Sequence, residues 1–118
     1  DEAIALSSMS IARNMGIKAI IALTESGSTA LMLSRIRSDI PIYAFTRNEV
    51  TQRRVSLYRG VISFHYPFLA DNLSQVLDDI RTQMLRSEVL NAGDLIIVTS
   101  GSPLKVPGGT NSLRLITI

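Results

Sequence analysis

The chain is 118 residues long, 46% apolar and 19% charged, with a formal net charge of +2 and no cysteine. It is long enough to close one hydrophobic core and too apolar for a disordered tail, so a single globular domain is expected. Scattered cations and 5% aromatic residues argue against a nucleic-acid surface, the lack of cysteine excludes disulfide and thiol chemistry, and no apolar run approaches the roughly 20 residues of a membrane span.

Residues 1–15, DEAIALSSMSIARNM, place Ile4, Met9, Ile11, Ala12 and Met15 at roughly helical spacing, and Gly16 supplies a stop. KAIIAL (18–23) is a short continuous apolar run, the pattern of a strand covered on both faces. From about Ser28, STALMLSRIR repeats apolar residues at Ala30, Leu31, Leu33 and Ile36, a second helix that Pro41 must end. IYAF (42–45) is a second buried strand. TRNEVTQRRVSLYRG (46–60) opens with Thr46 and Glu49 at capping-box spacing, which predicts a helix from there, and Gly60 releases the chain into a third strand, VISF (61–64). Asp71 can cap a helix whose apolar face is Leu73, Val76, Leu77, Ile80, Met84 and Leu85. NAG (91–93) precedes a fourth strand, DLIIVT (94–99), and the polar Gly/Pro-rich loop 100–111 leads to a last, less buried strand at 112–118.

Helix–strand alternation of this kind demands parallel strands with right-handed crossovers and helices on both faces. The last two strands have no helix between them, so the final one runs antiparallel at an edge. The start at Asp1, without Met or signal-like features, leads us to expect that the single domain 1–118 is a piece of a longer chain, and the absence of cysteine fits a cytoplasmic setting.

In an open α/β sheet, ligands bind beyond the carboxyl ends of the strands where strand order reverses. The first strand leads directly into TESGST, which sets Thr24, Ser26, Ser28 and Thr29 around Gly27. One reading is a polar turn, since Ser and Thr are good caps and turn formers. The other is a phosphate cradle. Gly27 lets a ligand approach the main chain, the helix that follows offers free N–H groups and its positive dipole end, and each hydrogen bond to a charged group is worth roughly 1.5–3 kcal/mol. The stretch is not a P-loop, because the spaced second glycine and following lysine are missing. Loop 100–111 carries Ser100, Gly101, Lys105, Gly108, Gly109 and Thr110, and it forms a second wall if the first and fourth strands are neighbours. Lys105 is then either a counter-charge or a solvated loop lysine.

No catalytic constellation is present. His65, the only histidine, is expected in a partly buried structural role, and it has no companions at metal-ligand spacing. Asp78 and Asp79 are adjacent on a helix, point apart, and are expected on a solvated face. Arg53, Arg54 and Arg59 read as a salt-bridged surface, with a subunit interface as the alternative.

KAIIALTESGSTALMLSRIRSDIPIYAFTRNEVTQRRVSLYRGV, followed by GDLIIVTSGSPLKVPGGTNSLRL, resembles the C-terminal domain of pyruvate kinase over almost the whole chain. LT-x-SG-x-TA at 23–30, PI-x-A-x-T-x-N…LYRGV at 41–61 and G-x-TN-x-x-R at 108–114 carry the resemblance together. It implies a three-layer α/β/α domain with a five-stranded mixed sheet, strand order 3-2-1-4-5 and strand 5 antiparallel. It also implies an enzyme that transfers a phosphoryl group from phosphoenolpyruvate to ADP with magnesium and usually potassium. Its catalytic residues and ions belong to a separate TIM barrel that these 118 residues do not contain, so no catalytic residue, cofactor or metal is expected here. By the same likeness the domain contributes an interface of a homotetramer, and Thr24, Ser26, Gly27, Ser28 and Thr29 hold an effector's phosphate under the 101–109 loop. Members activated by fructose 1,6-bisphosphate in animals carry lysine where this chain has Glu25, and some use a tryptophan that is absent here. A carboxylate near a phosphate opposes it by about 1 kcal/mol if solvated and about 4 if semi-buried. The expected effector is therefore a monophosphate, such as a sugar monophosphate or AMP. The alternatives are a structural oligomerisation domain with no effector and a stand-alone phosphate-binding module.

Overall fold

A computed structural model of the chain describes residues 2–36, 39–66, 72–101 and 110–118. In chain order the elements are α1 (Glu2–Met15), β1 (Ala19–Leu23), α2 (Ser28–Arg35), β2 (Ile42–Thr46), α3 (Glu49–Val55), β3 (Val61–His65), α4 (Leu73–Arg86), β4 (Leu95–Gly101) and β5 (Thr110–Thr117). They form one five-stranded sheet in the order β3-β2-β1-β4-β5. The pairs β1–β2, β1–β4 and β2–β3 are parallel, and β4–β5 is antiparallel. This is the mixed sheet and three-layer architecture that the sequence led us to expect.

The two faces of β1 explain its unbroken apolar run. Ile20 and Ala22 join Ile42, Ala44 and Ile97 against Ala5, Met9 and Ala12 of α1 and Ala30 and Leu33 of α2. Ala19, Ile21 and Leu23 join Tyr43, Phe45, Ile96 and Val98 against Val76, Ile80 and Met84 of α4. A strand sandwiched this way cannot alternate polar and apolar residues, and all five of its residues are buried. The rim of the second layer is aromatic. Phe64 stacks on Phe45 with ring centroids 5.1 Å apart and meets Tyr43 edge-on at 5.8 Å. Ser8 is buried on α1 because its hydroxyl donates to the Ile4 carbonyl at 2.7 Å, a local solution for a polar group in an apolar layer.

Several local expectations change. The cap of α3 is Asn48, whose side chain accepts from the N–H groups of Val50 and Thr51, and not Thr46. Thr46 is still strand, paired with His65, so the helix begins three residues later and ends at Val55. The cap of α4 is Asn72, which accepts from Gln75 N–H at 2.8 Å, and Asp71 lies outside the described residues. Strand β4 runs on to Gly101 and β5 starts at Thr110, so both ends of the expected 100–111 loop are ladder. On α1 the buried residues are Ala5, Ser8, Met9 and Ala12, while Met15 is exposed. His65 is exposed at the end of an edge strand, not partly buried. No helix among the described residues is long and apolar enough to cross a membrane.

Asp79 is no solvated carboxylate. It accepts from the Tyr66 hydroxyl at 2.6 Å and from the Gln75 side-chain amide at 3.3 Å, pinning the end of β3 to α4, while Asp78 pairs with Arg81 at 3.1 Å. Burial, then the hydrogen bond and charge of Asp79, push the Tyr66 phenol from 10.0 up to about 12. The folded phenol therefore holds its proton more tightly than an unfolded one. Its contribution to stability is complete below about pH 10 and is lost as the pH rises towards 12. In Tyr66→Phe, the decline of the urea midpoint between those pH values should be shallower than in the wild type, read by far-ultraviolet circular dichroism.

Candidate functional site

Strand order reverses between β1 and β4, and this is where the carboxyl edge offers a crevice. Leu23 is in register with Phe45, and Ala22 is in register with Thr99. The segments following β1, β2 and β4 therefore leave the sheet side by side. Thr24 extends the ladder by one bond, its N–H donating to the Phe45 carbonyl at 3.0 Å. The adjacency that a two-walled site requires is thus present. Of the second wall, Lys105, Gly108 and Gly109 lie outside the described residues, and Gly101 is the last residue of β4. Both flanks of that wall are tied together where the Ser100 and Ser112 hydroxyls bond at 2.8 Å.

All five residues singled out after the first strand converge in one tight turn. The buried Thr24 hydroxyl accepts the Gly27 N–H at 2.8 Å. Gly27 sits at φ 86°, the left-handed region, and its carbonyl accepts the Leu31 N–H to open α2. The Ser26 hydroxyl accepts the Ser28 N–H at 3.3 Å and donates to the Ser28 hydroxyl at 3.2 Å. Thr29 is fully buried in the first turn of α2. With glycine at the N-cap, no N-cap side chain caps the helix, and its first-turn amides lack intrahelical acceptors by geometry. Main-chain N–H groups, two partly exposed hydroxyls and the positive end of a helix dipole are gathered at one point, which is chemistry suited to oxyanions.

What holds the turn is α3. The Thr51 hydroxyl donates to the Glu25 carbonyl at 2.7 Å, and the Arg54 guanidinium donates to the Ser26 carbonyl at 3.2 Å. A Cβ on Gly27 would lie 2.8 Å from the Val55 side chain and 3.4 Å from that of Thr51. Glu25 is the only acidic side chain in the turn, and it is drawn onto Arg47, just past β2, at 2.9 Å. Sequence reading missed Arg47, Thr51 and Arg54. The signal for Arg47 was the parallel pairing itself, since residues just past two neighbouring strands must lie close together. Arg53, Arg54 and Arg59 form no ion pair among the described residues, so the salt-bridged surface expected of them is not there. Arg54 instead grips the turn, and the Arg59 carbonyl accepts from Ser34 at 2.7 Å. Among the described residues no group of three His, Cys, Asp or Glu side chains is placed to hold a metal ion.

Residues 2–116 match the family described as pyruvate kinase, alpha/beta domain. The chain is 43% identical to pyruvate kinase II of Salmonella typhimurium over its full length, while covering 25% of that protein. It is 40% identical to pyruvate kinase of Buchnera aphidicola from Acyrthosiphon pisum, again over all of this chain and 25% of the relative. It is 38% identical to pyruvate kinase of Thermotoga maritima over 99% of this chain and 25% of the relative. The chain thus belongs to the pyruvate kinase alpha/beta domain family and spans about a quarter of the length of these relatives.

The turn's dependence on Gly27 is measurable. Gly27→Ala combines a left-handed backbone with contact against Val55, and it should lower the unfolding free energy by roughly 2–4 kcal/mol in urea titrations. A loss below about 0.5 kcal/mol, the range of an ordinary surface change, would show that the turn is not held as described.

Proposed function

We propose that this chain is the regulatory and subunit-interface domain of a pyruvate kinase, catalytically silent by itself, and that its 24–29 turn receives the phosphate group of an effector. The observation that carries the site is the conformation of Gly27. Its left-handed backbone, fixed by Thr24 and by α3, turns the chain so that Ser26, Ser28 and the start of α2 share one location. A purely connecting turn from β1 to α2 needs neither the glycine strapped to a neighbouring helix nor hydroxyls on both sides of it.

The family supplies the enzymatic setting. In a longer chain carrying a barrel domain, phosphoryl transfer from phosphoenolpyruvate to ADP would use magnesium and potassium held by the barrel, with this domain contributing contacts in a cytoplasmic homotetramer. Effector binding would act by favouring one quaternary arrangement over another, as any ligand must that binds two states unequally. The segment with Gly101, Lys105, Gly108 and Gly109 would close over the ligand from the β4 side. A sugar monophosphate or AMP-like ligand suits the turn better than a bisphosphate, because Glu25 keeps a carboxylate at its rim.

A second reading has its own support. The Ser26 and Ser28 hydroxyls already bond to each other, as expected of a self-satisfied turn in a structural domain with no effector. Thermal unfolding separates the two. A phosphate ester at 100 times its Kd should add about 2.7 kcal/mol of stability, and Ser26→Asp, which fixes negative charge in the turn, should abolish that gain. No shift with millimolar phosphate, sugar monophosphates or AMP favours the structural reading. Incubating the chain with phosphoenolpyruvate, ADP and magnesium should yield no pyruvate in an NADH-coupled assay, and turnover would overturn its assignment as catalytically silent.

A further inference from the structure

We propose that Arg47 is the charged ligand of the phosphate site, and that Glu25 is a built-in competitor for it, so that the pair works as a charge latch on the turn. The inference rests on the reading of 24–29 as an anion site and adds the residue that sets its affinity.

Three observations point to the latch. The first is position. Glu25 lies two residues past β1 and Arg47 one past β2, and these strands are paired in register up to Leu23 and Phe45. The pair therefore sits on the turn itself and not on a remote surface. The second is asymmetry of burial. The Glu25 side chain is 11% exposed and that of Arg47 is 43% exposed, so the carboxylate is the desolvated partner and the guanidinium reaches solvent. The third is incomplete satisfaction on both sides. The single Arg47 Nε–H is shared between the two Glu25 oxygens, with Oε1 at 2.9 Å and Oε2 at 3.1 Å, and the buried Oε1 has no other partner among the described residues. An ionised carboxylate has room for about four hydrogen bonds and a guanidinium carries five N–H donors. Among the described residues the Nη groups of Arg47 engage no acceptor.

A guanidinium held by Nε alone presents its remaining donors as a fork, the geometry that suits a phosphate oxygen pair. Glu25, which holds this guanidinium, directly precedes Ser26, so the cation is tied to the same turn. To use the remaining donors an anion must share the guanidinium with Glu25, whose two oxygens already divide one N–H between them. One phosphate group can share it in this way. Each further negative charge brought near the buried carboxylate adds repulsion, so the latch also selects ligands of low charge.

Glu25→Gln keeps an acceptor for the Arg47 Nε–H and removes only the charge. Titrating the 118-residue chain with inorganic phosphate, followed by the amide shifts of Gly27, Ser28 and Thr29, should show roughly tenfold tighter binding in this variant, within the usual range of coupled sites. Arg47→Met should weaken binding by a similar factor. In the double variant the gain from Glu25→Gln should fall well below that seen with Arg47 present, to the part that direct repulsion alone supplies. A gain as large without Arg47 as with it would show direct repulsion alone and overturn the latch. Wild-type binding with no response to either substitution would overturn the latch and leave the anion site standing. A merely structural pair would lower the melting temperature in Glu25→Gln without tightening phosphate, which also overturns it. Failure of the wild type and of Glu25→Gln alike to bind phosphate would sink the site and the latch together.

Discussion

The double-sided burial of β1 governs everything at the carboxyl edge. Ala19–Leu23 are packed on both faces and hydrogen-bonded to parallel neighbours on both sides, so this strand has no freedom of register or depth. Shifting it by one residue would exchange Ile20 and Ala22 for Ile21 and Leu23 on the two faces and break both cores together. Because β1 cannot slide, the point where Thr24 leaves the sheet is fixed. So is its distance from the residues that leave β2 and β4. Rigidity in a wholly apolar, buried strand thereby positions a polar turn.

The α1, α2, α3 layer then finishes what the sheet begins. α3 is short, only Glu49–Val55, yet it faces the turn with three different instruments. Val55 closes the space behind Gly27, Thr51 bonds the Glu25 carbonyl, and Arg54 bonds that of Ser26. With those two carbonyls turned towards α3, the N–H groups that follow them, of Gly27 and Ser28, are presented to the hydroxyls of Thr24 and Ser26. Main-chain donors point one way because main-chain acceptors have been claimed from the other side. The charges follow the same division. Arg54 serves the backbone, while Arg47 faces the only acidic side chain in the turn.

Much of this was legible from the residues alone. Continuous apolar runs at KAIIAL and IYAF, set between glycine and proline punctuation, mark buried parallel strands, and the hydroxyl run around Gly27 marks the turn. The order 3-2-1-4-5 came from family resemblance, since periodicity identifies strands but not their neighbours. Helix caps were misplaced for an identifiable reason. Asn, Asp, Ser and Thr satisfy the same local rule, so the choice between Thr46 and Asn48 falls to how long β2 stays paired with β3. The role of Arg47 followed only from the neighbourhood of β1 and β2, and those of Arg54 and Asp79 were not legible, because their partners lie elsewhere along the chain. Arg54 reaches back to Ser26, and Asp79 reaches Tyr66 across a helix–strand gap, contacts that no pattern of spacing encodes.

Within the turn, fixed and exchangeable hydrogen bonds are separated, and this separation bears on how it would work. The bonds from Gly27 N–H to Thr24 at 2.8 Å and from the Thr51 hydroxyl to the Glu25 carbonyl at 2.7 Å are short, so both belong to the frame, while the exposed bond from Arg54 to the Ser26 carbonyl, at 3.2 Å, is softer. The bonds between Ser26 and Ser28 are longer, at 3.2 and 3.3 Å, and join groups that are only partly buried. On the proposed reading, an oxyanion would replace them without disturbing the frame, because the hydroxyls need only rotate and the amide need only change acceptors. Such an exchange gains only the difference between a neutral and a charge-assisted bond at each donor, so the turn by itself favours modest affinity. Discrimination among anions would then come from fixed charge nearby, and the charges at hand are one buried carboxylate and one half-exposed guanidinium at the ends of two adjacent strands.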